Sequence, residues 1–317
     1  MQRNKFTQIA ILLLAVLVTT LHVAESKDLS ETSQIPHHRF LTSSSEFRDY
    51  WVSFSDDGKL LLFSRAPLDR WVWELRLIPH NGGASRPIVQ SSLPVSATRT
   101  NWSVSNQMIA FTGVTDQDAD VWLIKPDGST PRAISLEGLS NSTYYPSWYP
   151  DGKRLAVVDF EGDIGRIKRI NLEARTVEVL TDPKDILAGM PSVSPKGDSI
   201  AFAGQRNNGS YDQTKNNIWL LDNKGVLKHL DTQQGRAPSW SPDGEWIVFE
   251  SNRESQDGQY AVFIIHRTGG IARRLTHYEL NANHPVFSPD GKFLAFSARV
   301  PGSNKAWGIA IIDVPKL

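Results

Sequence analysis

Six copies of one five-residue turn recur along the chain: FSDDG (54–58), WSVSN (102–106), WYPDG (148–152), VSPKG (193–197), WSPDG (240–244) and FSPDG (287–291). Their last residues fall at 58, 106, 152, 197, 244 and 291, so the intervals are 48, 46, 45, 47 and 47. A period of this length means one supersecondary unit repeated in tandem, because no single unit can bury its apolar face alone. Proline presets the second turn position, aspartate suits the third, and glycine takes the left-handed place that closes a hairpin. Asn106 stands where the other copies have Gly or, in the fourth copy, Gly after Lys, and asparagine also visits positive φ, so it is expected to take that place.

The strand after each turn carries two apolar columns on one face. One holds Leu61, Ile109, Leu155, Ile200, Ile247 and Leu294; the other holds Phe63, Phe111, Val157, Phe202, Phe249 and Phe296. Between them, on the opposite face, stand Leu62, Ala110, Ala156, Ala201, Val248 and Ala295. Successive strand side chains point to opposite faces, so the strand is buried on both, with one face bulky and the other mostly small. Sheets stacked face to face interdigitate in this way. The aromatics Phe54, Trp102, Trp148, Trp240 and Phe287 read as further core.

A third strand follows, as at 121–124, 218–221 and 262–265, and a fourth ends in Ile88-Val89, Ile134-Ser135, Leu180-Thr181, Leu230-Asp231 or Leu275-Thr276. The sixth copy reaches 309–312 and has no fourth strand after it. The segment 38–42 (HRFLT) matches 273–276 (RRLT) in pattern and precedes the first copy at the expected distance. The expected fold is therefore all-β: a six-bladed β-propeller of four-stranded antiparallel blades, its ring closed by the N-terminal strand completing the last blade.

The repeated W/F-S-P-D-G-K-x-L/I-A-F resembles the WD40-like repeat of the TolB-type propeller family, which is also found in the propeller domains of dipeptidyl-peptidase IV-like and tricorn-type proteases. The resemblance covers residue 38 to the C-terminus. It implies an envelope or periplasmic protein that docks other proteins, as TolB docks Tol-complex proteins and the peptidoglycan-associated lipoprotein. Neither the N-terminal α/β domain of TolB nor the hydrolase domain of the peptidases has a counterpart in the sequence, so the closest description is a stand-alone TolB-like propeller.

The first residues read as an export signal. Arg3 and Lys5 precede an unbroken apolar run at 9–18, too short to span a bilayer, and Ala24 and Ser26 suit cleavage after residue 26. The expected organisation is a signal peptide at 1–26 and the propeller at 27–317, in the periplasm or, alternatively, secreted, with no membrane insertion of the mature chain. The sequence has 34 basic and 34 acidic residues, without the cationic excess that neutralises phosphates, so nucleic acid is not an expected partner. With no cysteine, neither disulfides nor thiolate-bound metals can form.

Function is expected on the end of the propeller that carries the longer loops, at 65–71, 112–120, 204–217, 251–259 and 298–305. Just before each inner strand stand Arg48, Arg99, Tyr144, Tyr145, Met190, Arg236 and His284, which are the candidate partner-binding residues; Arg and Tyr are enriched at binding hot spots. Asp116, Asp118 and Asp120 alternate as calcium ligands do, but lack the glycine and distal glutamate of an EF-hand, so a charged hairpin tip is the competing reading. No G-x-S-x-G, H-E-x-x-H or P-loop sequence is present, and no catalytic residue or cofactor is assigned. The expectation is a monomeric, non-enzymatic module that docks a protein or cell-envelope partner. A channel-mouth hydrolase or lyase acting on a carbohydrate or lactone, resting on His284, Arg236 and Arg99, is the alternative.

Overall fold

The computed structural model describes residues 35–89, 93–208 and 212–317; the expected signal segment at 1–26 lies outside them. The described chain is a β-propeller of four-stranded antiparallel meanders. Each repeat runs from an inner strand through the turn into a long second strand, then a third, then a short outer strand. In the third repeat these are Thr143–Trp148, Arg154–Glu161, Ile164–Asn171 and Thr176–Val179. The outer strand shrinks to two residues at Arg86–Pro87, Arg132–Ala133 and Arg273–Arg274. Short outer strands leave little unpaired edge to template further pairing.

The turn residues act as a small hydrogen-bonded clamp. In the fifth repeat Gly244 N–H donates to the Ser241 carbonyl at 2.9 Å, Glu245 N–H donates to Asp243 Oδ1 at 2.9 Å, and Trp246 N–H donates to Ser241 Oγ at 2.9 Å. Gly244 has φ +76°, where a Cβ would be strained. The WSVSN copy departs from expectation. Gln107 (φ 54°), not Asn106, takes the left-handed conformation. The Asn106 amide instead donates from Nδ2 to the Gly152 carbonyl of the next turn, while its Oδ1 accepts Met108 N–H at 2.9 Å. Those side-chain bonds fix Asn106; the left-handed residue comes one place later, while the closing bond from Ser103 N–H to the Met108 carbonyl keeps the span of Ser55 to Leu60 in the first copy.

Both columns of the second strand are buried as their pattern requires, with Leu61, Phe63, Phe111, Phe249 and Phe296 at 0% exposure. Packing joins the small face of each repeat to the bulky face of the next. Leu62 meets Ile109 and Phe111; Ala110 meets Leu155 and Val157; Ala156 meets Ile200 and Phe202. Ala201 then meets Ile247 and Phe249, and Val248 meets Leu294 and Phe296. The series returns on itself: Ala295 meets Leu61 and Phe63. A fully buried Phe or Leu contributes about 1.5–3 kcal/mol relative to exposure, so these interfaces carry most of the stabilisation.

Hydrogen bonding divides the strands differently from the six separate sheets that the repeat count predicts. Among the described residues there are four four-stranded sheets and one of eight strands. The larger sheet arises where the inner strand Phe47–Phe54 lies parallel to Trp307–Asp313, the two sharing one bridge pair, Arg48 and Trp307.

The strand His38–Phe40 pairs antiparallel with Trp307–Asp313, in the register His38 to Ile312 and Phe40 to Ala310. Thr42 Oγ1 accepts Ile309 N–H at 2.8 Å. Thr181 does the same for Ile167 at 2.9 Å, and Thr276 for Val262 at 2.9 Å. The N-terminal segment thus occupies, for the last repeat, the place that a fourth strand occupies in the others. Gly308 permits the approach, since a Cβ there would lie 1.9 Å from the Thr42 carbonyl oxygen.

Candidate functional site

Each inner strand breaks register once. The breaks lie between Tyr50 and Ser53, Thr98 and Asn101, Tyr144 and Ser147, Gly189 and Ser192, Arg236 and Ser239, and Asn283 and Val286. Inside each break stands one non-glycine residue in the left-handed conformation: Trp51 (φ 53°), Arg99 (53°), Tyr145 (55°), Met190 (52°), Ala237 (46°) and His284 (53°). Such a bulge re-aims a side chain, and backbone held at positive φ clusters at functional sites. All six residues line one cavity of about 110 Å³, so the bulges together build the mouth of a central channel.

Arg99, Tyr145, Met190 and His284 are therefore lining residues. Arg48, Tyr144 and Arg236 stand beside the mouth and do not line it. All seven lie within inner strands rather than in the loops before them, because the strands continue past the bulge and pair again, as Tyr144 does with Val158. Arg48 donates to the carbonyls of Pro67 and Leu68, both at 3.0 Å, and covers the ring of Trp71 at 4.4 Å.

Glu250 is the charged group at the centre of the mouth's support, at 0% exposure. Its Oε1 accepts Nε and Nη2 of Arg236 at 2.9 and 2.6 Å, and its Oε2 accepts the backbone N–H of His284 at 2.8 Å. Burial pushes the Glu250 carboxyl up, but Arg236 and His284 outweigh it and hold it below the ordinary range. The same strand position in the second repeat holds Thr112, whose hydroxyl accepts Tyr145 N–H at 3.1 Å. A polar second-strand side chain thus satisfies the bulge amide of the following repeat. Burial drives the His284 imidazole down to about 4, so it is neutral at pH 7. Its Nδ1 lies 3.8 Å from Glu250 Oε2, too far for a hydrogen bond.

Arg99 sits in an aromatic cage. Its guanidinium lies 5.0 Å from the ring of Trp51, 5.1 Å from Tyr144 and 4.6 Å from Tyr145. From the mouth the aromatic surface continues outward through Trp51 to Trp73 (4.8 Å) and from Trp73 to Trp71 (6.0 Å), whose ring is 69% exposed.

The acidic triplet does not converge. Asp116 and Asp118 sit on a tight hairpin tip closed by Thr115 N–H to the Asp118 carbonyl, whereas Asp120 lies in the strand Ala119–Ile124. Asp118 Oδ1 accepts the Asn141 amide at 2.7 Å. Among the described residues no three His, Cys, Asp or Glu side chains are grouped to hold a metal ion.

The profile of the TolB β-propeller domain family (PD40) matches residues 145–315, just over half of the chain. This chain belongs to that family. Among relatives of the TolB-family propeller described here, a Bacillus subtilis protein described as an uncharacterised peptidase, YuxL, is 32% identical over 105 residues, covering 32% of this chain and 16% of the relative. The Tol-Pal system protein TolB of Francisella tularensis is 29% identical over 180 residues, covering 55% of this chain and 40% of the relative. The matches thus span less than half the length of either relative. The crystal structure of TolB from Acinetobacter baumannii superposes with a TM-score of 0.59 at 19% identity, covering 87% of this chain and 65% of that one, a likeness of fold.

Sequence reasoning missed two residues that line this TolB-family channel mouth, Trp51 and Ala237, and one that supports it, Glu250. A signal for Ala237 was present, whereas Val52 follows Trp51. Proline follows the left-handed residue in four copies, at Pro146, Pro191, Pro238 and Pro285, and proline inside a strand marks a bulge or an edge. Glu250 was marked by being the one charged residue in the column Ser64, Thr112, Val158, Ala203, Glu250 and Ser297.

Proposed function

We propose that this chain is an exported, monomeric interaction module of the TolB family whose six-bladed ring presents its channel mouth to a protein partner in the cell envelope. In this reading the eight-stranded sheet comprises two blades, and the ring closes through the strand His38–Phe40. Packing of Ala295 on Leu61 and Phe63, and the single bridge pair inside that sheet, support the count. Residues 1–26 direct export, and 27–317 work in the periplasm, a placement supported by the name of the Tol-Pal relative.

The observation that carries the proposal is the concentration of Arg99, Tyr144, Tyr145, Trp51, Trp73 and exposed Trp71 around one end of the channel. Tyr, Trp and Arg dominate binding hot spots, since each offers a large amphipathic surface with few rotatable bonds to freeze. A photo-crosslinking side chain at Trp71 should capture one envelope protein from living cells. Capture should vanish when Arg99 and Tyr145 are both changed to alanine with the melting point preserved. Undiminished capture by that variant would refute docking at the mouth.

A second reading, a channel-mouth hydrolase or lyase on a carbohydrate or lactone, draws on the neutral His284 imidazole beside Glu250. Turnover of a lactone or of oligogalacturonate, abolished by His284→Ala in a folded variant, would favour it over docking.

A further inference from the structure

We infer that Arg99 is a receptor for a carboxylate, and that the group it takes at the channel mouth is an acidic side chain or chain end of a bound polypeptide; this rests on the protein-docking reading above. Among the described residues the mouth is lined without any Asp, Glu or Lys, and with His284 neutral, Arg99 is the one charged side chain there. Of the two other arginines beside the mouth, Arg236 is held by Glu250 through two hydrogen bonds to Oε1, and Arg48 donates to the carbonyls of Pro67 and Leu68. Arg65 in the first repeat is likewise held by Asp49, at 2.7 Å from both Nε and Nη2.

No Asp or Glu oxygen among the described residues lies within ion-pair distance of Arg99, and its one hydrogen bond there runs from Nη1 to Thr98 Oγ1 at 3.0 Å. Its Nε is buried and has no acceptor. Three aromatic rings meanwhile hold the guanidinium and fix its plane. A guanidinium stacked on rings keeps its N–H fork available at its edge, and that fork matches a carboxylate in two parallel bonds. The fold supplies the position as well, because the Arg99 backbone is held at φ 53° by the bulge.

Size narrows the ligand. The cavity is small, about 110 Å³, which suits a carboxyl group with a short stem. The polypeptide would therefore lie across the aromatic rim and insert one acidic group.

The test uses the full mature chain with three probes: N-acetyl-Gly-Glu-Gly amide, its Gln counterpart, and digalacturonate. Binding is read from the Nε–H nuclear magnetic resonance signal of Arg99, assigned with Arg99→Lys. The Glu peptide should shift that signal saturably, and the Gln peptide should bind about tenfold more weakly or less, because it lacks the charge-assisted bonds. Arg99→Gln, with an unchanged melting temperature, should abolish the difference between the two peptides. In the wild type, affinity for the Glu peptide should fall as salt rises.

Equal binding of the Glu and Gln peptides, or an undiminished preference in Arg99→Gln, would overturn the inference. If no probe moved the signal, the carboxylate receptor would fail while docking on the aromatic rim still stood. Digalacturonate binding through Arg99 without peptide binding would support the receptor and overturn the polypeptide source.

Discussion

Replacing Thr42 by valine tests whether the N-terminal strand is structurally equivalent to an in-line fourth strand. Valine keeps the branched shape, so the change removes one acceptor and little else. Thr42 is buried, and its Oγ1 takes the N–H of Ile309 at 2.8 Å. Without it that amide is left buried and unpaired, a loss of about 1–3 kcal/mol. The backbone bond from Leu41 N–H to the Ile309 carbonyl at 2.7 Å survives, so the strand should stay in place.

The repeat provides its own controls. Thr181→Val and Thr276→Val delete the same bond at 2.9 Å in repeats whose fourth strand is continuous with the chain, so all three variants should lose similar stability. Thr42 and Thr181 belong to non-adjacent repeats, so their double variant should lose the sum to within about 0.5 kcal/mol. Urea unfolding followed by tryptophan fluorescence measures each loss from the midpoint at constant slope. If Thr42→Val matched the wild type to about 0.3 kcal/mol while each control lost more than about 1 kcal/mol, the argument that this strand completes the last sheet would be wrong.

Glu250→Gln should destabilise the fold by about 3–5 kcal/mol, because it removes the carboxylate charge that balances the largely buried Arg236 guanidinium, and adding Arg236→Met should recover part of that loss in a double-mutant cycle. His284 makes stability depend on acid: its folded pKa of about 4 lies below the unfolded value near 6.5, so the unfolded chain takes up the proton first. Stability is then full above pH 6.5 and falls by about 3 kcal/mol as pH drops toward 4, and His284→Gln should flatten that window in a pH series of urea midpoints. Glu250, held below its ordinary value, adds a further loss at lower pH as its carboxyl is protonated.

The core of the fold was legible because it is made by identity at a fixed period. Leu61, Phe63 and their five counterparts each have the residue type their burial requires, and the small-face residues between them predict which sheet packs on which. The segment 38–42 was placed by the same logic, through the Leu-Thr pair whose hydroxyl performs the same task in each repeat where it occurs. The mouth was harder to read because its shape is set by backbone. Trp51, Arg99, Tyr145, Met190, Ala237 and His284 share no side-chain character and, His284 apart, none favours positive φ, so where no proline follows, at Trp51 and Arg99, no residue preference marks the bulge. The joining of two meanders into one eight-stranded sheet was also hidden, since one parallel bridge between distant strands leaves no local pattern. The partnership of Glu250 with both Arg236 and the His284 amide is a contact between repeats, which spacing within a repeat does not encode.

The bond between Thr42 and Ile309 spans 267 positions. A chain emerging from a ribosome or a translocation pore delivers the first of these residues long before the second. Thr42 must therefore wait, without its hydrogen-bonding mate, until the repeats between the two have been delivered. Closing so distant a contact is slow relative to the local hairpins that precede it. The pairing of His38–Phe40 with Trp307–Asp313 is then expected to come late in folding, after the local hairpins.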